Sequence, residues 1–180
     1  MTPDPFNLEL IRAKAEDFDM VTQFYRDSTN RNPEMERFGR WIYGLHPTDE
    51  MILHYICSGA MYTCQSGGEI FCAFAITPSQ GADYHDTAWG MELEDEQVAV
   101  VHLLCVNPKC QRQGIGKQAM AHAIALAEQM GKKAIRLDAL SSNTPAHRLY
   151  ESLDFERRGT AHWFTDNVGW TDFYLFERPL

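Results

Sequence analysis

The amino-acid sequence predicts a single mixed α/β domain over residues 1–180, with a partly antiparallel sheet. The chain has 180 residues, which corresponds to about one domain at roughly 150 residues per domain. Apolar residues make up 44% and charged residues 23%, and both shares are typical of a folded globular protein. The apolar patterns follow the order strand, helices, two strands, then strand, helix, strand, helix and two strands. This order indicates a strand–helix–strand unit combined with antiparallel hairpins.

One strand and three helices are predicted at the start of the chain. Residues 8–13 alternate weakly between apolar and polar side chains, which is typical of a strand. Residues 16–25 carry apolar side chains at helical spacing. Two further helices are predicted over 34–44 and 47–59, and Thr48 is the expected N-cap of the later one.

A hairpin, a loop and a buried strand follow in the sequence. Residues 60–64 and 69–77 flank a turn that contains glycine, which predicts a β-hairpin. Residues 78–96 form a long polar loop, and loops of this length are often functional. Residues 97–106 are almost continuously apolar, which predicts a strand that is buried on both faces.

The C-terminal part is predicted to contain two helices and three strands. The helix over 114–130 is rich in alanine, and the helix over 144–153 has proline in its first turn. The strands are predicted over 134–140, 155–164 and 172–178.

The charge balance argues against a nucleic-acid-binding protein. The chain carries 16 Lys and Arg against 25 Asp and Glu, a formal charge of −9. Contact with phosphate groups requires an excess of positive charge, which this chain lacks. An acidic chain is compatible with a basic small molecule as its partner.

The cysteines and the hydropathy pattern predict a cytoplasmic protein without a structural metal. The five cysteines include no CxxC pair, so neither a disulfide framework nor a zinc site is expected, and reduced thiols are. The first residues lack the basic and apolar regions of a signal peptide. No apolar run approaches the roughly 18 residues that a membrane span needs.

Residues 111–116, Gln-Arg-Gln-Gly-Ile-Gly, predict an anion-binding turn between the buried strand and the alanine-rich helix. The start of a helix offers N–H groups without partners and the positive end of the helix dipole. Glycines let the backbone approach an anion closely, and Lys109, Arg112 and Lys117 add positive charge. The alternative is a glycine turn that only packs the helix on the strand. The pattern matches neither a P-loop nor the dinucleotide-binding fingerprint.

The region around this turn resembles the GNAT superfamily of acetyl-CoA-dependent N-acetyltransferases. In that family the turn reads Gln/Arg-x-x-Gly-x-Gly/Ala and follows a strand that ends in apolar-x-Val-x-Pro, here Leu104-Cys105-Val106-Asn107-Pro108. The downstream part of the family pattern is also present, as Asn143, Ala146, Leu149-Tyr150-Glu151 and Asp154-Phe155. Asp154 stands where the family has glycine, a departure that concerns only a local turn, because aspartate also tolerates left-handed geometry.

The resemblance implies a fold, a cofactor and the residues that hold it. The implied fold is a twisted mixed sheet of seven strands, mostly antiparallel, with four to five flanking helices. The implied cofactor is acetyl-CoA, whose pantetheine arm would pair with strand backbone in a slot between splayed strands. The implied cofactor-binding residues are Leu104, Cys105, Val106, Gln111, Arg112, Gln113, Gly114, Ile115, Gly116, Lys117, Asn143, Ala146 and Tyr150.

Two side chains are the candidates for proton transfer. The resemblance places Tyr150 near the sulfur of the cofactor as the acid, and the alternative is a packed aromatic residue on an amphipathic helix. His102 lies within the apolar strand, where an unpaired polar group is costly, and it is the candidate base. The alternative for His102 is a core histidine with a structural hydrogen bond. The backbone N–H of Leu104 or Cys105 is the expected oxyanion donor.

The expected reaction is direct transfer of an acetyl group from acetyl-CoA to the primary amine of a small molecule, in a ternary complex. The resemblance assigns four aromatic residues to the acceptor side, namely Trp41, Tyr43, Tyr84 and Trp89. The alternatives are an acetyltransferase of protein N-termini or lysines, and a non-catalytic module that binds acyl-CoA. A homodimer that uses the aromatic residues of segment 161–176 is a further hypothesis.

Overall fold

A seven-stranded mixed sheet forms the centre of the computed structural model, which describes residues 8–30 and 32–180. The strands lie in the order β1-β2-β3-β4-β5-β7-β6, and the β4–β5 pair is parallel whereas the other pairs are antiparallel. The strands are β1 (Glu9–Arg12), β2 (Met61–Ser66), β3 (Glu69–Thr77), β4 (Val98–Val106), β5 (Ala134–Leu140), β6 (Glu156–Thr165) and β7 (Gly169–Pro179). This architecture confirms the predicted fold class.

Four α-helices cover the two faces of the sheet. They are α1 (Phe18–Thr29), α2 (Asp49–Cys57), α3 (Ile115–Gln129) and α4 (Thr144–Glu151). The apolar sides of α1 and α2 pack on one face, and those of α3 and α4 pack on the other. Thr48 caps α2 as predicted, because its hydroxyl accepts a hydrogen bond from the backbone N–H of Met51.

The predicted helix over 34–44 is helical only as far as residue 39, and the prediction is wrong for residues 40–44. The structure has a π-helical turn, Met35–Gly39, which ends at Arg40 in the left-handed region with φ 55°. Trp41 leaves the helical path because its ring packs against Tyr25 and His46, at centroid distances of 6.4 and 5.2 Å. Tertiary packing therefore overrides the helical spacing of this segment. The first predicted helix, by contrast, extends four residues further, to Thr29.

Strand β4 contains a bulge and then separates from β5. Leu103 has φ 52°, and the register with β3 shifts by one residue at this point. The buried hydroxyl of Tyr25 donates a hydrogen bond to the carbonyl of Leu103, at 2.8 Å. Pairing of β4 with β5 covers only three residue pairs and ends at Val100 and Arg136. Beyond that point the two strands enclose a slot.

The long loop over 78–96 is anchored to the sheet by one buried arginine. Arg136, on β5, is 1% exposed and forms an ion pair of 2.8 Å with Glu177 of β7. Its guanidinium also donates to the side chain of Gln80 and to the carbonyl of Met91. The ring of Trp89 lies over the same group at 4.1 Å. The aromatic residues of the loop therefore contribute to packing.

No helix in the described part of the chain is both long and apolar enough to cross a membrane. The five cysteines, all described, are free, and four of them are buried. Residues 8–30 and 32–180 contain no cluster of three metal-ligating side chains.

Candidate active site

A cavity of about 950 Å³ lies where β4 and β5 diverge. Its walls include Val101 to Val106 of β4 and Asp138 to Leu140 of β5. Tyr150 of α4 contacts it from one face of the sheet, and Tyr55 of α2 contacts it from the other. The cavity therefore joins the two faces through the slot.

The turn before α3 has the geometry of an anion site. Gly114 precedes the helix with φ 80°, a conformation that favours glycine. A Cβ atom on Gly116 would lie 3.2 Å from Leu149 and 3.5 Å from Val106, so a side chain there would require the end of the Leu149 side chain to shift. The N–H groups of the first helical turn have no partner within the helix, and they lie at the positive end of the helix dipole. This end of the cavity can hold a phosphate group.

The predicted cofactor-binding residues come together at the cavity, with one exception. The residues that line it are Leu104, Cys105, Val106, Gln111, Arg112, Gly114, Ile115, Gly116, Lys117, Asn143, Ala146 and Tyr150. Gln113 lies in the same turn outside the lining, and its amide donates to the carbonyl of Lys109 at 3.5 Å. The slot offers strand backbone that β5 does not pair, and the turn offers N–H groups and basic side chains. These two features fit the arm and the pyrophosphate of acetyl-CoA.

Tyr150 projects from α4 into the buried end of the slot. It is 6% exposed and packs against Phe155 and Phe176, at centroid distances of 6.0 and 5.5 Å. Within residues 8–30 and 32–180 its hydroxyl has no hydrogen-bond partner. Burial raises the pKa of Tyr150 well above its ordinary value, and the nearby charge of Asp138 raises it further by a smaller amount. The phenol therefore stays protonated at neutral pH and can donate a proton or a hydrogen bond.

His102 lines the cavity from β4, next to the bulge. Its Nε2 atom lies 3.2 Å from the hydroxyl of Thr77, and its ring stacks on Tyr55 at a centroid distance of 5.4 Å. Burial lowers the pKa of His102 to about 4, so the imidazole is neutral near pH 7. A neutral imidazole can accept a hydrogen bond, but a group with this pKa is a weak proton acceptor.

The four aromatic residues predicted for the acceptor side do not meet at the cavity. Trp41 lines it. Tyr43 instead donates to Asp49 and lies under the guanidinium of Arg26, outside the lining. Tyr84 and Trp89 stack on each other in the loop over 78–96, behind the residues that line the cavity. The resemblance alone therefore does not identify the acceptor wall.

Asp138 is a cavity residue that the sequence reasoning missed. It lies on β5, and its Oδ1 atom accepts a hydrogen bond of 2.7 Å from the hydroxyl of Tyr84. A lone carboxylate within the apolar strand 134–140 was the available signal. Further missed aromatic residues line the same cavity, namely Phe38, Tyr55, Trp163 and Phe173.

Segment 34–41, which we call the roof, covers part of the cavity and is tied to three neighbours. The hydroxyl of Ser142 donates to the carbonyl of Phe38 at 3.0 Å. The amide of Asn167, in the β6–β7 turn, donates to the carbonyl of Arg40 at 2.8 Å. The third tie is an exposed ion pair of 2.8 Å between Glu34 of the roof and Arg112 of the turn before α3. The roof thus joins the β6–β7 hairpin to the helical side of the cavity.

The family comparison agrees with this geometry. The model of the acetyltransferase (GNAT) family matches residues 23–155. Over 83 residues the chain is 39% identical to the [ribosomal protein bS18]-alanine N-acetyltransferase of Escherichia coli strain K12. That match covers 46% of this chain and 56% of the relative, so the chain spans about half the length of the curated relative.

Solved structures show the same fold along the whole chain. A GNAT-family acetyltransferase from Listeria monocytogenes has a TM-score of 0.75 at 20% identity and covers 100% of this chain and 99% of its own. The acetyltransferase yncA from Salmonella typhimurium, solved with its cofactor acetyl-CoA, has a TM-score of 0.71 at 16% identity, over 97% and 94% of the two chains. The matched family model spans 133 of the 180 residues, counted from 23 to 155. The chain belongs to the GNAT acetyltransferase family, whose members use acetyl-CoA.

Proposed function

We propose that this protein transfers the acetyl group of acetyl-CoA to the primary amine of a small molecule, by direct transfer in a ternary complex. The observation that carries the proposal is the slot between β4 and β5, which joins the turn before α3 to the aromatic side of the cavity. We call this side the acceptor chamber, and its aromatic lining residues are Trp41, Tyr55, Trp163 and Phe173. Acetyl-CoA, when bound, supplies an acetyl thioester that an amine can attack. The chain's own residues hold both reactants within reach of each other.

The position of the roof favours a small-molecule acceptor over a polypeptide acceptor. A protein substrate needs an open groove through which its chain can leave on at least one side. Here the side chain of Asn167 in the β6–β7 turn donates a hydrogen bond to the carbonyl of Arg40 in the roof. This contact closes the side of the cavity between the turn and the roof, where a polypeptide would have to leave. A small amine requires no such exit.

Tyr150 is the proposed proton donor to the leaving thiolate. Its phenol is protonated, has no hydrogen-bond partner in the described part of the chain and lines the slot. The sequence prediction of His102 as base remains a prediction, and its low pKa weakens it. The backbone of the bulge at Leu104 and Cys105 is the proposed oxyanion donor, since β5 does not pair with it.

A protein N-terminus is the second candidate acceptor. The curated relative from Escherichia coli is named for the alanine of a ribosomal protein, and the shared region covers 46% of this chain. This similarity supports a peptide that begins with alanine as a test substrate.

Steady-state assays with acetyl-CoA test the two acceptors against each other. The panel contains aliphatic and aromatic primary amines and a hexapeptide that begins with alanine. The expected result is turnover of small amines and none of the peptide, whereas the reverse result would establish the protein acceptor. Tyr150→Phe should lower kcat by about tenfold or more with little change in acetyl-CoA affinity. An unchanged kcat would remove Tyr150 from the mechanism.

Two predictions about the setting of the protein accompany this proposal. We expect a cytoplasmic enzyme, in line with its free thiols. We also expect a homodimer through segment 161–176, because Phe164 and Trp170 there are 58% and 68% exposed. Sedimentation of a monomer at high concentration would exclude the dimer.

A further inference from the structure

Asp138 presents a carboxylate to the cavity without a cationic partner. The described cavity lining contains two carboxylates, and Glu34 is already paired with Arg112. The Oδ1 atom of Asp138 accepts the hydrogen bond from Tyr84 at 2.7 Å. No other hydrogen bond or ion pair reaches this side chain within residues 8–30 and 32–180. Asp138 is partly exposed, and because it lines the cavity, its second oxygen is open to a ligand there.

The register of the strands places Asp138 beside the acceptor chamber. The last β4–β5 pair joins Val100 to Arg136. Asp138 and His102 each come two residues later, so they lie at the same level on the two walls of the slot and point to the same face. That face carries Tyr55, which stacks on His102. The carboxylate and the imidazole therefore border one chamber.

The loop over 78–96 holds the partner of Asp138 in place. The ring of Tyr84 stacks on Trp89 at a centroid distance of 5.5 Å. The indole N–H of Trp89 donates to the carbonyl of Tyr84 at 2.8 Å. The guanidinium of Arg136 stacks on the ring of Trp89 at 4.1 Å and so restricts its position. Tyr84 is thus rigid, and its hydroxyl leaves one carboxyl oxygen of Asp138 free to face the cavity.

We propose that Asp138 binds the ammonium group of the acceptor and takes its proton, with Tyr84 as the positioning residue. This inference rests on the proposed function. In the step, one N–H bond of the ammonium breaks and an O–H bond forms at the free oxygen of Asp138. The electron pair stays on nitrogen, which leaves a neutral amine ready for acyl transfer, and the proton later passes from Asp138 to water.

The surroundings of Asp138 also define the class of acceptor. The chamber wall combines this carboxylate with partly exposed aromatic rings of Trp41, Tyr55, Trp163 and Phe173. Aromatic faces attract a cation and pack against an apolar body. The acceptor is therefore a primary amine with an aromatic or similarly apolar body.

Calorimetry with 2-phenylethylamine, in the presence of CoA, tests the binding role without relying on turnover. A hydrogen bond to a charged group contributes about 1.5–3 kcal/mol, so Asp138→Asn should weaken amine binding by about tenfold or more. Asp172→Asn is the matched control, because Asp172 is exposed on β7 and its side chain pairs with His162, which lies outside the cavity lining. Its affinity should stay within about twofold of the wild type, and CoA should bind equally to all three proteins.

The outcomes separate this inference from the proposed function. If Asp138→Asn binds 2-phenylethylamine as tightly as the wild type does, Asp138 has no role, while the proposed function stands. If the wild type binds CoA but not 2-phenylethylamine, the inference about the acceptor falls, and turnover of the other amines in the panel then decides the proposed function. The neutral analogue 2-phenylethanol should bind the wild type and Asp138→Asn alike, and a parallel loss of the alcohol would show a collapsed chamber and overturn the charge argument.

The pH dependence of kcat/KM tests the positioning role of Tyr84. The titratable groups that face Asp138 are Asp83, Tyr84, Tyr55, Tyr150 and His102. Burial raises the pKa of Asp138, whereas the hydrogen bond from Tyr84 lowers it and the charge of Asp83 raises it. Tyr84→Phe removes the lowering effect, so the loss of activity on the acidic side should move to higher pH. An acidic limb that is unmoved in Tyr84→Phe, or one abolished by His102→Gln, would overturn the assignment.

Discussion

Replacing Tyr25 by phenylalanine tests whether one hydrogen bond holds the bulge of β4. The ring of Tyr25 is fully buried between α1 and the sheet, and its hydroxyl donates to the carbonyl of Leu103 at 2.8 Å. Leu103 is 7% exposed and has φ 52°, which is unfavourable for a leucine. The substitution keeps the ring and removes only the donor.

The magnitude follows from the carbonyl that is left behind. A buried acceptor without a partner costs about 1–3 kcal/mol in free energy of unfolding. For a chain of this size, 1 kcal/mol corresponds to about 2–4 °C in Tm. We therefore expect Tm to fall by about 6 °C for a mid-range loss of about 2 kcal/mol. Because the bulge also presents the backbone of the slot, kcat should fall with it.

Thermal and urea unfolding, together with acetyl-transfer kinetics, measure these effects. Tyr43→Phe is the matched control, since its hydroxyl is bonded to Asp49 at the surface. A surface change of this kind alters the unfolding free energy by about 0.5 kcal/mol or less. If Tyr25→Phe destabilises the protein no more than this control, the bulge does not depend on the hydrogen bond and the reasoning fails.

Three further outcomes are expected. His102 has a folded-state pKa of about 4, below the unfolded value of about 6.5, so the unfolded chain binds more protons between these two pH values. The free energy of unfolding therefore falls as the pH drops through this window, and in His102→Gln the urea midpoint should fall less steeply. Arg136→Ala leaves the buried carboxylate of Glu177 with only Arg158 and the backbone N–H of Gly90 among its partners in the described residues, and it should cost about 3–5 kcal/mol in urea unfolding; an exposed arginine change, Arg148→Ala, should cost little, and equal losses would contradict the buried network. Gly114→Ala forces a side chain into φ 80° at a cost of about 1–2 kcal/mol, so calorimetry should show weaker CoA binding, and unchanged binding would show that the turn is only packing.

The strands were predictable because their signals are local. The strand over 134–140 matches β5 residue for residue, since its apolar run is bounded on both sides by turn residues. The glycine turn between β4 and α3 was predictable for the same reason, because it depends on glycines at fixed spacing in one short segment.

The acceptor chamber was less predictable because its residues meet only through long-range contacts. The ring of Trp89 packs on Arg136 of β5, a contact that no local pattern encodes, and Trp89 is therefore absent from the cavity lining. Asp138 lines the cavity only because β4 and β5 separate beyond Val100 and Arg136. The helix prediction fails over residues 40–44 for the same reason, because Trp41 packs on Tyr25 and departs from the helical spacing.

The short junction between β4 and β5 has a thermodynamic consequence. Only three residue pairs connect the half-sheet β1–β4 to the half-sheet β5–β7, and beyond them the ladder is missing. A molecule that fills the slot contacts both halves and so acts as a reversible crosslink between them. By linkage, a ligand at about 100 times its Kd adds about 2.7 kcal/mol to the free energy of unfolding. We therefore expect CoA to slow amide hydrogen exchange most strongly at β4 and β5, so that the cofactor level in its surroundings also sets the stability of the folded chain.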